Sequence, residues 1–202
     1  MPRPTKGLRV AGVVLAAGAS RRMGRNKMLL ELEGEPLVRR AARRALEAGL
    51  SPVVVVLGHE PERARAALAG LAVEIATNAD FLGPTSGSLH AGLERLAPDR
   101  DAVVVMLGDM VLVTAPMVRD LVRAAGAGDA PLVVSRYGEV TAPPLLFRRT
   151  LFAELMAWTG EGCGKAVVQA HRHEAGYVDR PAEVLADVDT PEDFAAVQKS
   201  SS

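Results

Sequence analysis

"VVLAAGASRRMGRNK", residues 13–27, is the stretch from which the rest of the chain can be read. Its first residues belong to a β-branched and apolar run, Val10 to Leu15, the pattern of a strand buried on both faces. Three small residues follow, Ala16, Ala17 and Gly18, then Arg21, Arg22, Gly24 and Lys27. In an open α/β sheet, ligands lie beyond the carboxyl ends of the strands, so a loop after Leu15 is placed to hold one. Its small residues let a ligand approach the backbone and let the N–H groups face an anion. Arg21, Arg22 and Lys27 supply positive charge against a triphosphate. A plain strand-to-helix turn with solvated charges fits the composition equally well. The glycine spacing does exclude two phosphate loops. Gly24 is followed by Arg25, so there is no Gly-Lys-Ser/Thr, and Gly18-x5-Gly24 is not G-x-G-x-x-G.

A secretory leader is the competing reading of the same residues. Arg3, Lys6 and Arg9 precede the apolar run, and "AGAS" at 17–20 resembles a cleavage site. The run is short, however, contains Gly12 and Gly18, and flows into the arginines. Cleavage would also remove the best first strand. No later apolar run is long enough to span a bilayer.

The 202 residues are enough for a substantial core, and 49% are apolar, which excludes a disordered chain. Aromatics are only 3%, so Ala, Val and Leu must build that core. With 24 basic and 24 acidic side chains there is no general attraction to nucleic acid or acidic membranes. The one cysteine, Cys163, cannot form an internal disulfide, and a reducing cytoplasm fits.

Periodicity predicts strands at Val10–Leu15, 53–57, 71–77, 101–109 and 130–137, and helices at Pro36–Ala48, Pro61–Ala69, Ser86–Leu96 and after Thr114. The alternation implies parallel pairing in a three-layer α/β/α sandwich. Helices are expected at Arg148–Trp158, Lys165–His171 and from Pro191, with strand-like pieces near Tyr177 and Leu185. One domain over 8–198 is expected, with frayed ends at 1–7 and 199–202.

The pattern L-A-A-G-x-S-x-R-M-G-x-x-K, Leu15 to Lys27, closely resembles the signature of nucleotidyltransferases of the glycosyltransferase-A-like fold. Within them the chain resembles the MobA-like family, in particular its molybdopterin cytidylyltransferase branch. That resemblance implies a mostly parallel, Rossmann-like sheet. It implies that Leu15, Ala16, Ala17 and Gly18 cradle the nucleotide, that Arg22 contacts its phosphates and that Lys27 holds the α-phosphate region. Lys27, Arg22 and Asp109 would then be the catalytic residues.

Further stations match the family in part. Ser88, Leu89, Ala91, Gly92 and Leu93 fit its S-L-x-A-G-L segment, which implies that Ser88, with Asn78 as a second candidate, borders the base and ribose. Capping of the helix by Ser86 or Ser88 is the plainer reading. Asp109 ends the fourth strand, where nucleotidyl transfer calls for a hard cation such as Mg2+. Val111 stands where the family has proline. Asp187 and Asp189 match D-x-D-T-P and are the other expected metal ligands, while Thr190 and Asp193 form a near capping box. Two motifs are altered. Ala142-Pro143-Pro144 stands for G-H-P, and residues 160–165 keep little of G-D-x-G-A-R.

The resemblance implies transfer of CMP from CTP to a phosphorylated acceptor such as molybdopterin, in the cytoplasm, with a molybdoenzyme or its chaperone as protein partner. Neither nucleic acid nor membrane is expected. The altered segments leave open a sugar- or polyol-phosphate acceptor, or a binding protein without turnover.

Overall fold

The computed structural model describes residues 7–162, 164–186 and 188–200. Among them, the strands that form the main sheet are β1 (Val10–Ala16), β4 (Val53–Leu57), β5 (Glu74–Thr77), β6 (Ala102–Leu107), β7 (Leu132–Tyr137), β8 (Val140–Arg148) and β9 (Gly176–Arg180). A two-stranded ribbon pairs β2 (Glu31–Leu32) with β3 (Glu35–Pro36). The helices are α1 (Leu37–Glu47), α2 (Pro61–Ala67), α3 (Thr85–Leu93), α4 (Ala115–Ala127), α5 (Phe152–Ala157), α6 (Lys165–Ala170) and α7 (Pro191–Ser200). Most of the expected elements thus form, with their ends moved by a few residues.

The order across the sheet is β5-β4-β1-β6-β8-β7-β9. β1 is central and fully buried, paired in parallel with β4 on one side and β6 on the other. The chain fills the β4 side first and then crosses to β6, so a topological switch point lies between β1 and β6.

Alternation along β1 sends Val10, Val14 and Ala16 to one face and Ala11, Val13 and Leu15 to the other. On the first face they meet Val38, Ala42 and Ala45 of α1 and Val118 and Leu121 of α4. On the second they meet Leu89 and Leu93 of α3, Leu155 of α5 and Val167 of α6. This is the expected three-layer sandwich of the glycosyltransferase-A-like type. A separate small core joins Met23, Leu32, Leu37 and Val111 to Val188, Phe194 and Val197. It fastens α7 beside the carboxyl ends of β1 and β6.

The sheet is mostly parallel, as expected, with one strand, β8, antiparallel to both β6 and β7. That strand was hidden by Pro143 and Pro144, which cannot donate to a ladder. They sit where the register breaks, between the pairs Ser135↔Ala142 and Val134↔Leu145. Their carbonyls accept instead from side chains, Pro144 from Ser135 Oγ at 2.8 Å and Pro143 from the Tyr137 hydroxyl at 2.9 Å. The expected helix at 148–158 is a 3-10 turn followed by α5. Near Leu185 there is a 3-10 turn, Ala182–Val184, and no strand. No helix among the described residues is long and apolar enough to cross a membrane.

Candidate active site

The loops after β1 and β6 leave the sheet side by side, because Leu15 pairs with Leu107 across the two strands. The approach is close. A Cβ on Gly108 would stand 2.6 Å from Met28 Sδ, and one on Gly58 would stand 2.5 Å from the Ala17 carbonyl. Any other residue at Gly58 would displace the backbone that follows β1, and one at Gly108 would push the Met28 side chain aside.

Lys27 opens a 3-10 turn, Lys27–Leu29, which Asn26 caps by accepting from Met28 N at 3.0 Å. The Asn26 amide also donates to the His59 carbonyl at 2.9 Å, and Lys27 N donates to Ser20 Oγ at 3.0 Å. The lysine backbone is therefore fixed on both sides. Its side chain, only 11% exposed, is not a solvated charge. Its ammonium lies 2.5 Å from Asp109 Oδ2 and 2.8 Å from Asp189 Oδ1. Arg22, on the turn Arg21–Met23, donates to Asp189 Oδ2 at 2.6 Å.

Burial works against the Lys27 charge, but Asp109 and Asp189 together outweigh it and hold its pKa above the usual lysine value. The hydrogen bond from Lys27, helped by the Lys27 and Arg22 charges, holds the Asp189 carboxyl below the usual range against its partial burial. Asp189 is aimed by the end of α7. There Thr190 N donates to Asp193 Oδ2 at 2.8 Å and Asp193 N to Thr190 Oγ1 at 3.2 Å, a complete capping box.

Two carboxylates from distant parts of the chain thus converge on one cationic atom. Hard oxygens in that arrangement suit a small divalent cation, which takes one or two carboxylates and completes its shell from water and phosphate. Among the described residues no three His, Cys, Asp or Glu side chains gather at one point. Asp187, the other expected ligand, lies outside the described residues, as does Cys163.

Two cavities meet at Lys27 and Gly18. One, of about 230 Å³, is lined by Leu15, Ala16, Ala17, Phe81, Thr85, Ser88 and Asp109. The other, of about 260 Å³, is lined by Ser20, Arg21, Arg22 and Asp189. Together they make a cleft with a small-residue end and a cationic end. Ser88 lies on the first cavity. Asn78 stands behind it, only 8% exposed, with Nδ2 donating to Ser88 Oγ at 3.0 Å and Oδ1 accepting from Asp80 N at 3.0 Å. It holds the loop and Ser88 in place. Pro84, not a serine, takes the capping position of α3.

Ser86 and Thr85 instead tie down the altered segment. Gly160 N donates to Ser86 Oγ at 3.1 Å, Gly162 N to Thr85 Oγ1 at 2.8 Å, and Thr85 N to Glu161 Oε2 at 3.3 Å. This strap walls a third cavity of about 190 Å³, lined by Leu107, Thr141, Pro143, Leu145, Gly162 and Lys165. Leu107 is common to this slot and the cleft. Both altered motifs therefore fall on the slot. His90 turns away, with Nε2 3.0 Å from the Leu155 carbonyl, and His59 packs on Phe81 with ring centroids 5.8 Å apart. Sequence reasoning missed Phe81, Thr85 and the supporting role of Ser20. The serine of L-A-A-G-x-S was the available signal for Ser20.

Comparison with known proteins bears on the family and the fold. The MobA-like NTP transferase domain model matches residues 12–175. A protein of Opitutus terrae named "Probable molybdenum cofactor guanylyltransferase" is 38% identical over 126 residues, 61% of this chain and 59% of that one. The purine catabolism protein PucB of Bacillus subtilis is 28% identical over 95% of this chain and 97% of its own. A bifunctional protein GlmU of Anaeromyxobacter is 35% identical over 67% of this chain, which spans only 30% of that relative's length. Among solved structures, Rv0371c of Mycobacterium tuberculosis superposes with a TM-score of 0.85 at 28% identity, covering 96% of this chain and all of that one. Rv0371c in complex with manganese gives 0.82 at 29% identity, covering 95% of this chain and 99% of that one. The signature from Leu15 to Lys27, the fold that carries it and the extent of the family match lead to one conclusion: the chain belongs to the MobA-like NTP transferase domain family.

Proposed function

We propose that residues 8–198 form one magnesium-dependent nucleotidyltransferase domain that moves CMP from CTP to the phosphate of a phosphorylated acceptor, with molybdopterin as the favoured acceptor. The observation that carries the reading is the meeting of Lys27, Arg22, Asp109 and Asp189 where two cavities join, one of them lined by the Leu15–Gly18 stretch.

In the reaction an oxygen of the acceptor phosphate attacks the α-phosphorus in line. The bond to the bridging oxygen of the β-phosphate breaks, and pyrophosphate leaves with that electron pair. The backbone of Ala16–Gly18 lies along the nucleotide. Lys27 donates to the α-phosphate oxygens, and Arg22 and Arg21 to the leaving phosphates. Ser88, held by Asn78, borders the base and ribose. Asp109 and Asp189 would hold magnesium, which supplies charge neutralisation when bound. The residues contribute mostly by positioning and electrostatic stabilisation.

The slot beyond Leu107 supports the acceptor class. Its lining is largely apolar, with Thr141, Lys165 and the Gly162 backbone as its polar groups. The faces of a flat heterocycle suit such walls, and Lys165 offers an ammonium to a phosphate. The relative named as a guanylyltransferase supports GTP as the second reading of the nucleotide. A molybdoenzyme or its chaperone in the cytoplasm would be the recipient of the product. The test is pyrophosphate release from each of the four NTPs against molybdopterin, a polyol phosphate and a sugar phosphate. Release only with CTP and molybdopterin supports the reading, and release with a sugar or polyol phosphate alone overturns the acceptor.

A further inference from the structure

Asp109 is followed by an irregular segment, residues 110–114, that runs to the start of α4. Met110, Val111 and Val113 are buried. Irregular backbone under cover needs hydrogen-bond partners, because a buried carbonyl without one is costly. The segment supplies few of its own. Val111 N donates to the Asp109 carbonyl at 3.0 Å and Val113 N to the Met110 carbonyl at 3.2 Å. The carbonyls of Val111 and Val113 point instead at α1, where Arg44 Nη1 donates to both at 2.5 Å.

Arg44 forms no ion pair with any described residue, although Arg40 and Arg43 on the same helix both do. Burial, then the neighbouring Arg40 and Arg43 charges, push its guanidinium down to about 10, and it stays protonated at neutral pH. An unpaired cation held half under cover against two carbonyls is an expensive way to fill space. It fits a demand for a fixed loop. The Val111 side chain is lodged in the small core with Val188 and Phe194, next to Asp189. The two sides of the carboxylate pair are therefore braced together: the Asp109 side by Arg44 from α1, the Asp189 side by α7.

We propose that Arg44 is a positioning residue, which clamps the carbonyls of Val111 and Val113 and so fixes the Asp109 carboxylate where it faces Asp189. The proposal rests on the reading that Asp109 and Asp189 hold the divalent cation. Arg44 touches neither substrate nor metal.

The test compares the full chain with Arg44→Met, Arg44→Lys and, as a core variant on the opposite face of the sheet, Leu155→Ala. Three quantities are measured without nucleotide: hydrogen exchange at residues 110–113, the dissociation constant for Mn2+ alone, and the melting temperature. Arg44→Met is expected to speed exchange at Val111 and Val113 and to weaken Mn2+ binding about tenfold or more, as loss of a supporting partner does at other metal sites. Leu155→Ala is expected to lower the melting temperature and leave Mn2+ binding alone. Unchanged exchange in Arg44→Met overturns the clamp. Faster exchange with unchanged Mn2+ affinity reduces Arg44 to a structural residue and overturns the positioning role. Wild-type protein that binds no Mn2+ overturns the metal reading, and the positioning role falls with it. If Arg44→Met does not fold, Arg44→Lys carries the same comparisons, because the lysine side chain is one bond shorter and does not bring its nitrogen to the place of Nη1, which donates to both carbonyls.

Discussion

Lys27 Nζ stands 2.5 Å from Asp109 Oδ2, so the cation expected to meet the triphosphate is held, in the ligand-free chain, by the carboxylate expected to meet the metal. Asp189 completes the cluster by binding Lys27 and Arg22 together. Lys27, Arg22, Asp109 and Asp189 are thus each neutralised by another of the four. On the proposed reading, nucleotide binding would exchange these pairs for new ones, and a divalent cation between the carboxylates would make that exchange favourable.

Asp109→Asn tests the metal side. The amide oxygen still accepts from Lys27, so the fold is expected to survive and the melting temperature to change little. Turnover is expected to fall about a thousandfold, roughly 4 kcal/mol of lost transition-state stabilisation. Full magnesium-dependent activity in this variant would remove Asp109 from the metal site.

Asp189→Asn tests the pairing. Without that carboxylate charge, Lys27 and Arg22 are released towards the triphosphate. CTP measured without any divalent metal is expected to bind several-fold more tightly than to wild type, while magnesium-dependent turnover falls. Weaker metal-free binding in the variant would show that Asp189 does not restrain the two cations.

The base preference can be measured apart from the acceptor. With magnesium present, CTP is expected to bind about tenfold more tightly than ATP or GTP, a difference of about 1.4 kcal/mol. A preference for GTP would move the chain to the guanylyl side of the family.

A pH effect is expected away from the cleft, where α5 and α6 pack beside the slot. His171 Nε2 lies 2.7 Å from Glu154 Oε2, with Glu174 3.4 Å from its other nitrogen. The Glu154 hydrogen bond holds the imidazolium above its ordinary pKa of 6.5, against slight burial. A raised folded-state pKa means that the stabilisation is complete below pH 6.5 and is lost as pH rises through the folded value. Solvent screening keeps it under about 1 kcal/mol. The melting temperature should therefore drop slightly on the alkaline side of that window, and His171→Gln should abolish the drop. An identical pH profile in the variant would show that the pair contributes nothing.

The central sheet was legible because β1, β4 and β6 are buried on both faces, and continuous valine runs have no other good use. The phosphate loop was legible because its signature is long. Other features were not, for reasons that lie in space. β8 is broken by two prolines whose carbonyls are satisfied by Ser135 and Tyr137, partners only the folded sheet supplies. The burial of Lys27 depends on Asp189, 162 positions away. Nothing in the sequence sets Arg44 apart from Arg39, Arg40 and Arg43 on the same helix, and only the folded chain brings the Val111 and Val113 carbonyls to it.

Lys27→Ala separates the two descriptions of this residue most sharply. A solvated lysine contributes at most about 1 kcal/mol, and its loss would touch neither rate nor melting temperature much. The observed lysine is buried between two carboxylates, so its removal leaves like charges facing each other under partial cover. The ligand-free variant is therefore expected to melt below wild type. Magnesium is expected to raise its melting temperature by more than it raises that of wild type, because a divalent cation restores positive charge between Asp109 and Asp189. Stability is then recovered, but catalysis is not. The ammonium that donated to the α-phosphate oxygens is gone, and loss of such a preorganised donor costs about 3–4 kcal/mol, a hundredfold or more in rate. The measurements are melting temperature with and without magnesium, and turnover at saturating CTP and acceptor. A rate within a few-fold of wild type, whatever the melting temperature, would mean that Lys27 serves only to neutralise the two carboxylates and does not reach the reacting phosphate.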